Sequence, residues 1–392
     1  ADDYHIYEIN ADGSGLRQIT YGARRSDIDP FYLSDGRIGF SSTREPKYCQ
    51  CNRHIMCNLF VMDPDGANIH QIGRNDLFEG HGVVMPDGRI LYDRWEYVDR
   101  HFGPSFGLWT TSPDGTNHAL YYGNNAWSPG GIIDARVIPG TQRVVATLTS
   151  CHDRPWGALA ILDRRIGLDG LKPVIYSWPA DISEYLNTDA YPGIDIFKRL
   201  EPKYEDPYPL SDKHFLCSRA VEGERMPLFL VDVFGNELLI HEESLGCYDP
   251  MPVAPRPLPP AIPARTNLAR DVGYFYLHDV YVGSGMEAVP RGTIKYLRVI
   301  AAPPKLFWTH NNWNVDATQA PAMNWNLTNN KRVLGDVPVE VDGSAYFAAP
   351  PDTFIYFQAL DQDKMMVQSM RSGTMIQPGE TTGCVGCHEH RM

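Results

Sequence analysis

The sequence lacks any apolar run of the length that a membrane-spanning helix needs, which is about 18 residues. It begins with Ala1-Asp2-Asp3, without the basic and apolar regions of a secretory signal peptide. We therefore predict no membrane span, and a protein that either is not exported or has had its signal removed.

Basic stretches are missing as well. The formal net charge is -13, and no stripe of lysine and arginine could follow a phosphate backbone. A nucleic-acid-binding function is therefore excluded, and a small molecule or another protein is the expected partner.

Cysteine is too scarce for a disulfide scaffold, with eight residues in a chain of 392. The hydrophobic content of 43% and the charged content of 21% suit a globular protein of two or three domains. The cysteines fall into a close group, three isolated residues and a C-terminal pair: Cys49, Cys51 and Cys57; Cys151, Cys217 and Cys247; Cys384 and Cys387.

A repeated hairpin phrase organises the first 250 residues. An alternating apolar strand runs into Asp-Gly, where a tight turn requires the positive φ that glycine adopts without steric cost. The phrase and its alternate occupy residues 6–13, 32–40, 58–66, 84–92 and 107–115, with weaker copies at 157–163 and 227–232. Four strands per unit and a period of about 50 residues predict a β-propeller of five or six blades, the first without its leading hairpin.

A proline-rich segment follows the repeats, and its composition is typical of a stiff, extended connection. Beyond it, residues 293–300 and 337–347 have the pattern of strands. We therefore predict an all-β protein with a β-propeller at 1–250, a linker at 251–265 and a mainly β domain at 266–392.

The last domain ends in Cys384-Val385-Gly386-Cys387-His388, the spacing of a c-type haem attachment site. Two thiols add to the vinyl groups of the haem, and the adjacent histidine can reach its iron. The alternatives are a redox dithiol or half of a zinc site, although no second Cys-x-x-Cys completes a four-cysteine site. We predict one covalent haem c, with Met392, His390 or a distant histidine or tyrosine as the remaining iron ligand.

A second cluster places Cys49, Cys51, His54 and Cys57 within nine residues. This density is sufficient for a zinc site, but the spacing matches no standard zinc finger. A disulfide with one remaining thiol is an equal alternative.

Four polar residues of the middle repeats are candidates for a catalytic pocket, because strand ends converge on one face around a propeller axis. They are His81, Asp93, Asp134 and His152. The alternative for each is a structural role in satisfying buried backbone groups.

The chain resembles the α subunit of hydrazine synthase and its relatives. The resemblance rests on the Asp-Gly propeller, on residues 348–361, 368–372 and 377–380, and on the closing Gly383–Glu389 segment around the haem motif. It implies a six-bladed propeller followed by a domain that holds a haem c. In the full family subunit, a further haem domain follows.

The resemblance also implies metal ligands and chemistry. The motif histidine of the family binds zinc together with a propeller cysteine, which here correspond to His388 and Cys247, while a tyrosine four positions later binds the iron. This chain departs from that pattern, because the corresponding position is Met392. Family chemistry joins ammonia to a more oxidised nitrogen species at an open haem face, assisted by a propeller carboxylate, for which we assign Asp93.

Three functions are compatible with these features. The first is a haem oxidoreductase that forms hydrazine, with a small nitrogen compound as substrate and a redox partner or other subunits in a multi-subunit complex. The second is an electron-transfer cytochrome whose propeller docks a partner protein, and the third is a propeller recognition module with a structural haem. Haem attachment and the cysteines favour export to a periplasm or an equivalent oxidising compartment, which would be anammoxosome-like in a true hydrazine synthase.

Overall fold

The computed structural model describes residues 3–49, 53–98, 100, 103–123, 126–186, 193–283, 285–306 and 331–387. Throughout these ranges, the regular structure is dominated by antiparallel strands. The prediction of an all-β fold with an N-terminal propeller is confirmed.

The first part of the propeller consists of one two-stranded sheet and two four-stranded sheets, in which neighbouring strands follow chain order. Blade 1 contains β1 (Tyr7–Glu8) and β2 (Arg17–Gln18). Blade 2 contains β3 (Asp27–Tyr32), β4 (Ile38–Tyr48), β5 (Ile55–Met62) and β6 (His70–Gln71). Blade 3 contains β7 (Phe78–Val84), β8 (Ile90–Trp95), β9 (Phe106–Thr111) and β10 (Ala119–Tyr122).

The second part consists of two further blades, which a single bridge between Gly157 and Tyr204 joins. Blade 4 contains β11 (Gly131–Val137), β12 (Val144–Thr149), β13 (Gly157–Leu162) and β14 (Val174–Trp178). Blade 5 contains β15 (Tyr204–Pro209), β16 (His214–Arg219), β17 (Leu228–Asp232) and β18 (Glu237–His241). The described residues thus form four complete blades and one partial blade, and the sixth blade stays a prediction.

The repeated phrases lie at the turns where the sequence places them. Gly66 and Gly115 connect the third and fourth strands of their blades with φ of 86° and 78°, and Gly88 connects the first and second strands of blade 3 with φ of 89°. These are left-handed conformations that a side chain would strain. The Asp-Gly pairs therefore mark the hairpins that were predicted from them.

The first strand of each complete blade contacts the first strand of the next blade, as the strands nearest a propeller axis do. Apolar side chains fill the spaces between successive blades. The largest such core lies between blades 3 and 4 and includes Leu91, Leu108, Ile132, Val144 and Leu148. The burial of these apolar side chains stabilises the positions of the first strands, which lie nearest the propeller axis.

The structure places no strand or helix in residues 242–272, which include the predicted linker. Two sheets follow. Their strands are β19 (Gly273–Leu277), β20 (Tyr296–Ala301), β21 (Arg332–Pro338), β22 (Ala345–Ala349), β23 (Ile355–Leu360), β24 (Met366–Ser369) and β25 (Thr381–Cys384). The exact domain boundaries stay a prediction.

These strands pair as a three-stranded sheet of order β22-β19-β25 and a four-stranded sheet of order β21-β20-β23-β24. Phe275, Leu297, Phe347 and Ile376 belong to the apolar core that the two sheets share. Strand β25 is parallel to β19 and pairs Leu277 with Cys384, so it leads directly into the haem motif.

Helices are few and short in the described residues. They comprise α1 (Ser183–Leu186) and the 3₁₀ segments Gly103–Ser105, Gly193–Arg199 and Glu222–Glu224. None of these helices has the length and apolar character needed to cross a membrane.

Candidate functional site

An irregularity recurs in the first strand of each complete blade. The register shifts within β3, β7, β11 and β15, and each shift encloses one residue with positive φ: Asp29 (52°), His81 (49°), Asp134 (51°) and Asp206 (53°). Such β-bulges re-aim a side chain away from the regular pleat. A fifth residue, Asp249, has φ of 48° beyond blade 5. We call these five residues the axial ring.

Contacts link the members of the ring across neighbouring blades. The His81 amide donates to Asp29 Oδ2 at 3.4 Å, and His81 Nε2 lies 3.8 Å from Asp134 Oδ1. On the other side, the Asp249 amide donates to Asp206 Oδ2 at 3.2 Å. The contacts thus form two groups, Asp29–His81–Asp134 and Asp206–Asp249, and the charge of Asp134 also acts on Asp206.

Asp93 joins this group from the second strand of blade 3. Its Oδ1 is 2.7 Å from His81 Nδ1, and its side chain is fully buried. Three of the four predicted pocket residues, His81, Asp93 and Asp134, are thus brought together by the structure. The fourth, His152, lies against Asp195, with a distance of 2.9 Å between Nδ1 and Oδ2, in a more exposed position near Lys198.

The electrostatics of His81 follow from its neighbours. Burial alone would lower the pKa of the imidazole, but the charges of Asp134, Asp93 and Asp29 outweigh it and raise that pKa well above its ordinary value. The neighbouring carboxylates therefore favour the protonated form of His81.

Carboxyl groups around the ring hold protons more tightly than isolated ones. Burial, only partly opposed by His81, raises the pKa of Asp134 to about 7. Burial and then the charges of Asp134 and Asp249 raise the pKa of Asp206 to about 7. Burial also raises the pKa of Asp93, although His81 opposes that rise. Groups that titrate near neutrality in one cluster are suited to proton transfer.

The predicted cysteine cluster is only partly described, because Cys51 lies outside the described residues. The Cys49 amide donates to the carbonyl of His54 at 2.8 Å, and the buried Cys57 thiol donates to the Glu79 carbonyl at 3.4 Å. Within the residues that the structure describes, no group of three or more His, Cys, Asp or Glu side chains is placed to hold a metal ion. Zinc at this cluster stays a prediction.

The haem motif begins at the end of β25. Cys384 and Cys387 are both half-buried and pack against the apolar core of the C-terminal sheets. His388 and Met392 lie outside the described residues, so the predicted iron ligands and the His388–Cys247 zinc pair stay predictions. Cys247 itself is half-buried, and its amide donates to the Met226 carbonyl at 2.7 Å.

A buried ion pair in blade 3 binds the segment around Gly373, which precedes the haem motif. Arg94 Nη2 donates to Glu96 Oε2 and to the carbonyl of Gly373, both at 2.7 Å, and the Gly373 amide donates to the same Glu96 oxygen at 3.2 Å. The guanidinium group lies 4.0 Å from the centre of the Trp109 ring and 5.0 Å from that of Phe354. Successive side chains of a strand point to opposite faces, so Arg94 and its neighbour Asp93 in β8 make different contacts. Arg94 binds the Gly373 segment, whereas Asp93 binds His81.

The sequence-based prediction missed Asp29, Asp206 and Asp249. A signal for them exists, since the dipeptide Asp-Pro occurs at 29–30, 206–207 and 249–250. Asp29 and Asp206 also stand six positions before Asp35 and Asp212 of the following turns, as His81 does before Asp87. Aligning the repeats on these turns would have placed Asp29, His81 and Asp206 at one structural position.

Comparison with known proteins gives one match to a family. Residues 292–389 match the model of the hydrazine synthase alpha subunit middle domain. No curated protein sequence matches the chain.

Three solved structures illustrate the range of structural similarity. The hydrazine synthase of Kuenenia stuttgartiensis matches with a TM-score of 0.78 and 19% identity, over 98% of this chain and 59% of that chain. The tricorn protease matches with a TM-score of 0.38 and 12% identity, over 60% of this chain and 20% of that one. Puromycin hydrolase matches with a TM-score of 0.37 and 14% identity, over 60% and 35%. The last two scores are too low to carry an argument.

The present chain therefore spans 59% of the length of the hydrazine synthase chain that it matches. The resemblance inferred from the sequence is confirmed: residues 292–389 match the hydrazine synthase alpha subunit middle domain, and the chain as a whole has the fold of the Kuenenia stuttgartiensis hydrazine synthase chain.

Proposed function

We propose that this chain is a c-type haem oxidoreductase that forms hydrazine from ammonia and a more oxidised nitrogen compound. The observation that carries the proposal is the position of the Cys384–Cys387 attachment pair inside the segment that matches the hydrazine synthase alpha subunit middle domain. The axial ring and Asp93 supply the titratable groups that such a reaction requires.

The surroundings of the two cysteines fit a covalent haem. Both side chains pack against an apolar core, and the neighbouring Val385 is 57% exposed. Val282 is also partly exposed, and its carbonyl lies so near Gly386 that a Cβ there would come within 2.1 Å. A macrocycle attached at these thiols would cover apolar surface that is otherwise exposed to water. When bound, the haem supplies an iron with a coordination position at which an oxidised nitrogen compound can be activated.

In this proposal, side chains of the protein accept and return the protons that are transferred during the reaction. At neutral pH ammonia is present mainly as ammonium, whose nitrogen has no lone pair for attack. Asp93 is suited to accept the proton, because Oδ1 is hydrogen-bonded to His81 while Oδ2 is buried without a hydrogen-bond partner. His81 and Asp134 can then share or relay that proton, since the His81 ring lies against both carboxylates.

The simplest balanced reaction takes hydroxylamine as the oxidised compound. Ammonium gives one proton to the protein, the nitrogen–nitrogen bond forms as the nitrogen–oxygen bond breaks, and the departing hydroxide takes up one proton to leave as water. The immediate products are hydrazinium and water; hydrazinium gives hydrazine when it releases one proton to the solvent, and the two reactants balance without an external electron donor. Asp93 and His81 return the proton that the leaving group needs.

The state of the haem iron tests this proposal. We expect the purified haem-loaded protein to have a high-spin absorption spectrum that changes when carbon monoxide or nitric oxide is added to the reduced form. This result would indicate an open coordination position. A low-spin spectrum indifferent to both gases would contradict the enzyme function and favour the electron-transfer cytochrome.

Replacing the proposed proton acceptor is expected to slow the reaction. Asp93→Asn keeps the size of the side chain but removes its basicity, so hydrazine formation from ammonium and hydroxylamine should fall by roughly 10²-fold or more. The pKa of His81 should fall as well, because Asp93 is one of the charges that raise it. The pH profile of kcat/KM reports that fall as a downward shift.

The matched control is Asp87→Asn, which changes an exposed carboxylate in a turn of the same blade. It should leave both the rate and the spectrum unchanged. An Asp93→Asn protein with wild-type activity would exclude Asp93 as the proton acceptor.

The proposal extends to partners and location. Because the chain covers 59% of the hydrazine synthase chain, the complete reaction is expected to need further protein, either additional domains or other subunits. A redox partner and an oxidising compartment, such as a periplasm or an anammoxosome-like space, are the corresponding proposals. Copurification of the native protein from its source would identify such subunits.

A further inference from the structure

A tyrosine and a histidine in blade 3 form a pair that the proposed reaction does not use. Tyr92 lies in β8, and His118 lies immediately before β10. The hydroxyl oxygen of Tyr92 is 2.7 Å from His118 Nδ1, and the tyrosine side chain is buried. At this distance a proton can pass from the phenol to the imidazole without movement of either ring.

The surroundings of His118 fix its tautomer. Its Nε2 lies 3.3 Å from the carbonyl oxygen of Ile72, which can only accept a hydrogen bond, so Nε2 carries the hydrogen. Burial and the charge of Arg94 lower the pKa of the imidazole to about 3, and His118 is therefore neutral. The lone pair of Nδ1 thus accepts the hydrogen bond of the Tyr92 hydroxyl, and a base faces the phenolic proton.

Burial disfavours simple ionisation of Tyr92. It raises the pKa of the phenol well above its ordinary value, and the charge of Glu79 raises that pKa further, because a phenolate would be a buried negative charge. A phenoxyl radical is neutral, so burial does not penalise it in this way. Loss of one electron makes a phenol strongly acidic, and His118 is placed to take the proton as the electron leaves. The pair is therefore suited to one-electron oxidation and not to acid–base chemistry.

The pair has an aromatic neighbour and a contact with the C-terminal chain. Trp109 lies directly opposite Tyr92 in the pairing of β8 with β9, and both side chains belong to the same apolar core. On the other side, Gln377 Nε2 donates at 3.2 Å to the same backbone carbonyl as His118. The chain then continues through the four residues of β25, about 13 Å of strand, to Cys384. A short stretch of chain therefore connects the pair with the proposed haem site.

We propose that Tyr92 and His118 form a redox-active pair, which gives one electron to a metal-centred oxidant and holds the oxidising equivalent as a neutral tyrosyl radical. In this step the oxidant gains one electron, the O–H bond of Tyr92 breaks, and the proton forms a new N–H bond at His118 Nδ1. Return of one electron and of that proton restores the phenol. A haem attached at Cys384 and Cys387 is an oxidant of this class, and the pair goes beyond hydrazine formation, which does not require it.

Electron paramagnetic resonance of the haem-loaded full chain tests the proposal. Tris(bipyridine)ruthenium(III), generated by a light flash, oxidises aromatic side chains whatever the state of the haem iron, and rapid freezing traps the radical at the site to which the oxidation migrates. We expect a neutral tyrosyl radical in wild type. Electron-nuclear double resonance should detect its coupling to an imidazole nitrogen, which ¹⁵N-labelled histidine identifies.

The decisive variant is Tyr92→Phe, which removes only the hydroxyl group and should abolish most of the tyrosyl signal. His118→Gln retains an acceptor for the Tyr92 hydroxyl but not a base, so the signal should be lost there as well. Tyr346→Phe is the control. Tyr346 is 61% exposed and stacks on Tyr274, and its replacement should leave the signal unchanged.

A tyrosyl signal of wild-type size in Tyr92→Phe would overturn the proposal. The radical would then reside elsewhere, for example on Tyr32 or Tyr204, whose hydroxyl groups donate to Glu8 and Glu237. A wild-type radical without imidazole coupling would overturn it too, and that measurement needs no variant.

Gas binding to the haem is measured separately and distinguishes this inference from the proposed function. An open haem without the Tyr92 radical would refute the redox pair alone. A closed haem with the radical would refute hydrazine formation at the haem and leave the redox pair.

Discussion

Replacing Cys384 and Cys387 together by alanine is expected to abolish covalent haem attachment completely. The two thiols are the groups that form the thioether bonds in a c-type site, and no other Cys-x-x-Cys-His occurs in the chain. The double variant and wild type would be produced with a haem-attachment system. Mass spectrometry of the denatured chains then detects haem that remains bound, and wild type should carry one.

The single variants refine this result. Cys384→Ala and Cys387→Ala should each retain haem through one thioether bond, in lower yield. Cys151→Ala is a suitable control because this half-buried cysteine lies in the propeller, outside the attachment motif. Haem that survives denaturation of the double variant would refute the attachment site.

The second large effect is expected at the buried ion pair of blade 3. Arg94→Met should lower the free energy of unfolding by about 3 kcal/mol or more, because it leaves the Glu96 carboxylate buried and removes the donor to the Gly373 carbonyl. Arg100, whose Nη2 lies 3.4 Å from Glu96 Oε1, compensates part of the charge and keeps the loss near the lower end of the usual range. Urea unfolding followed by tryptophan fluorescence measures the change.

An exposed ion pair provides the comparison. Arg17 lies 2.7 Å from Glu8, but its side chain is 51% exposed, so Arg17→Met should cost less than about 1 kcal/mol. An Arg94→Met protein no less stable than this control would show that Arg94 does not hold the Gly373 segment in place. Limited proteolysis near Gly373 gives a second measure, since the released segment should become accessible first.

Local turn chemistry made much of the propeller predictable. The conformation of Gly66 and Gly88 depends on residues next to them, so Asp-Gly could be interpreted as a hairpin without knowledge of the remaining fold. The haem motif was equally predictable from the sequence, because the residues that define it are five consecutive ones. The start of β13 at Gly157 confirms a weaker copy, in which Asp163 is not followed directly by glycine.

Features that depend on distant contacts were less predictable. Arg94 and Gly373 are far apart in sequence. No local sequence pattern predicts that the Arg94 guanidinium group is buried between Trp109 and Phe354. Three members of the axial ring, Asp29, Asp206 and Asp249, were missed for a related reason. A bulge redirects Asp206 from the alternation that the strand pattern predicts, so its orientation becomes evident only when the repeats are superimposed.

The attachment of the C-terminal chain to blades 2 and 3 has a mechanical consequence. After Gly373, Gln377 Nε2 donates to the Ile72 carbonyl at 3.2 Å, and Glu380 Oε1 accepts from the Asn117 amide at 2.8 Å. These successive anchors end where β25 begins, and that strand continues to Cys384. The thiol of Cys384, the first of the proposed attachment pair, is therefore held at a fixed position relative to the propeller, and this position is set when the chain folds and not when a substrate binds.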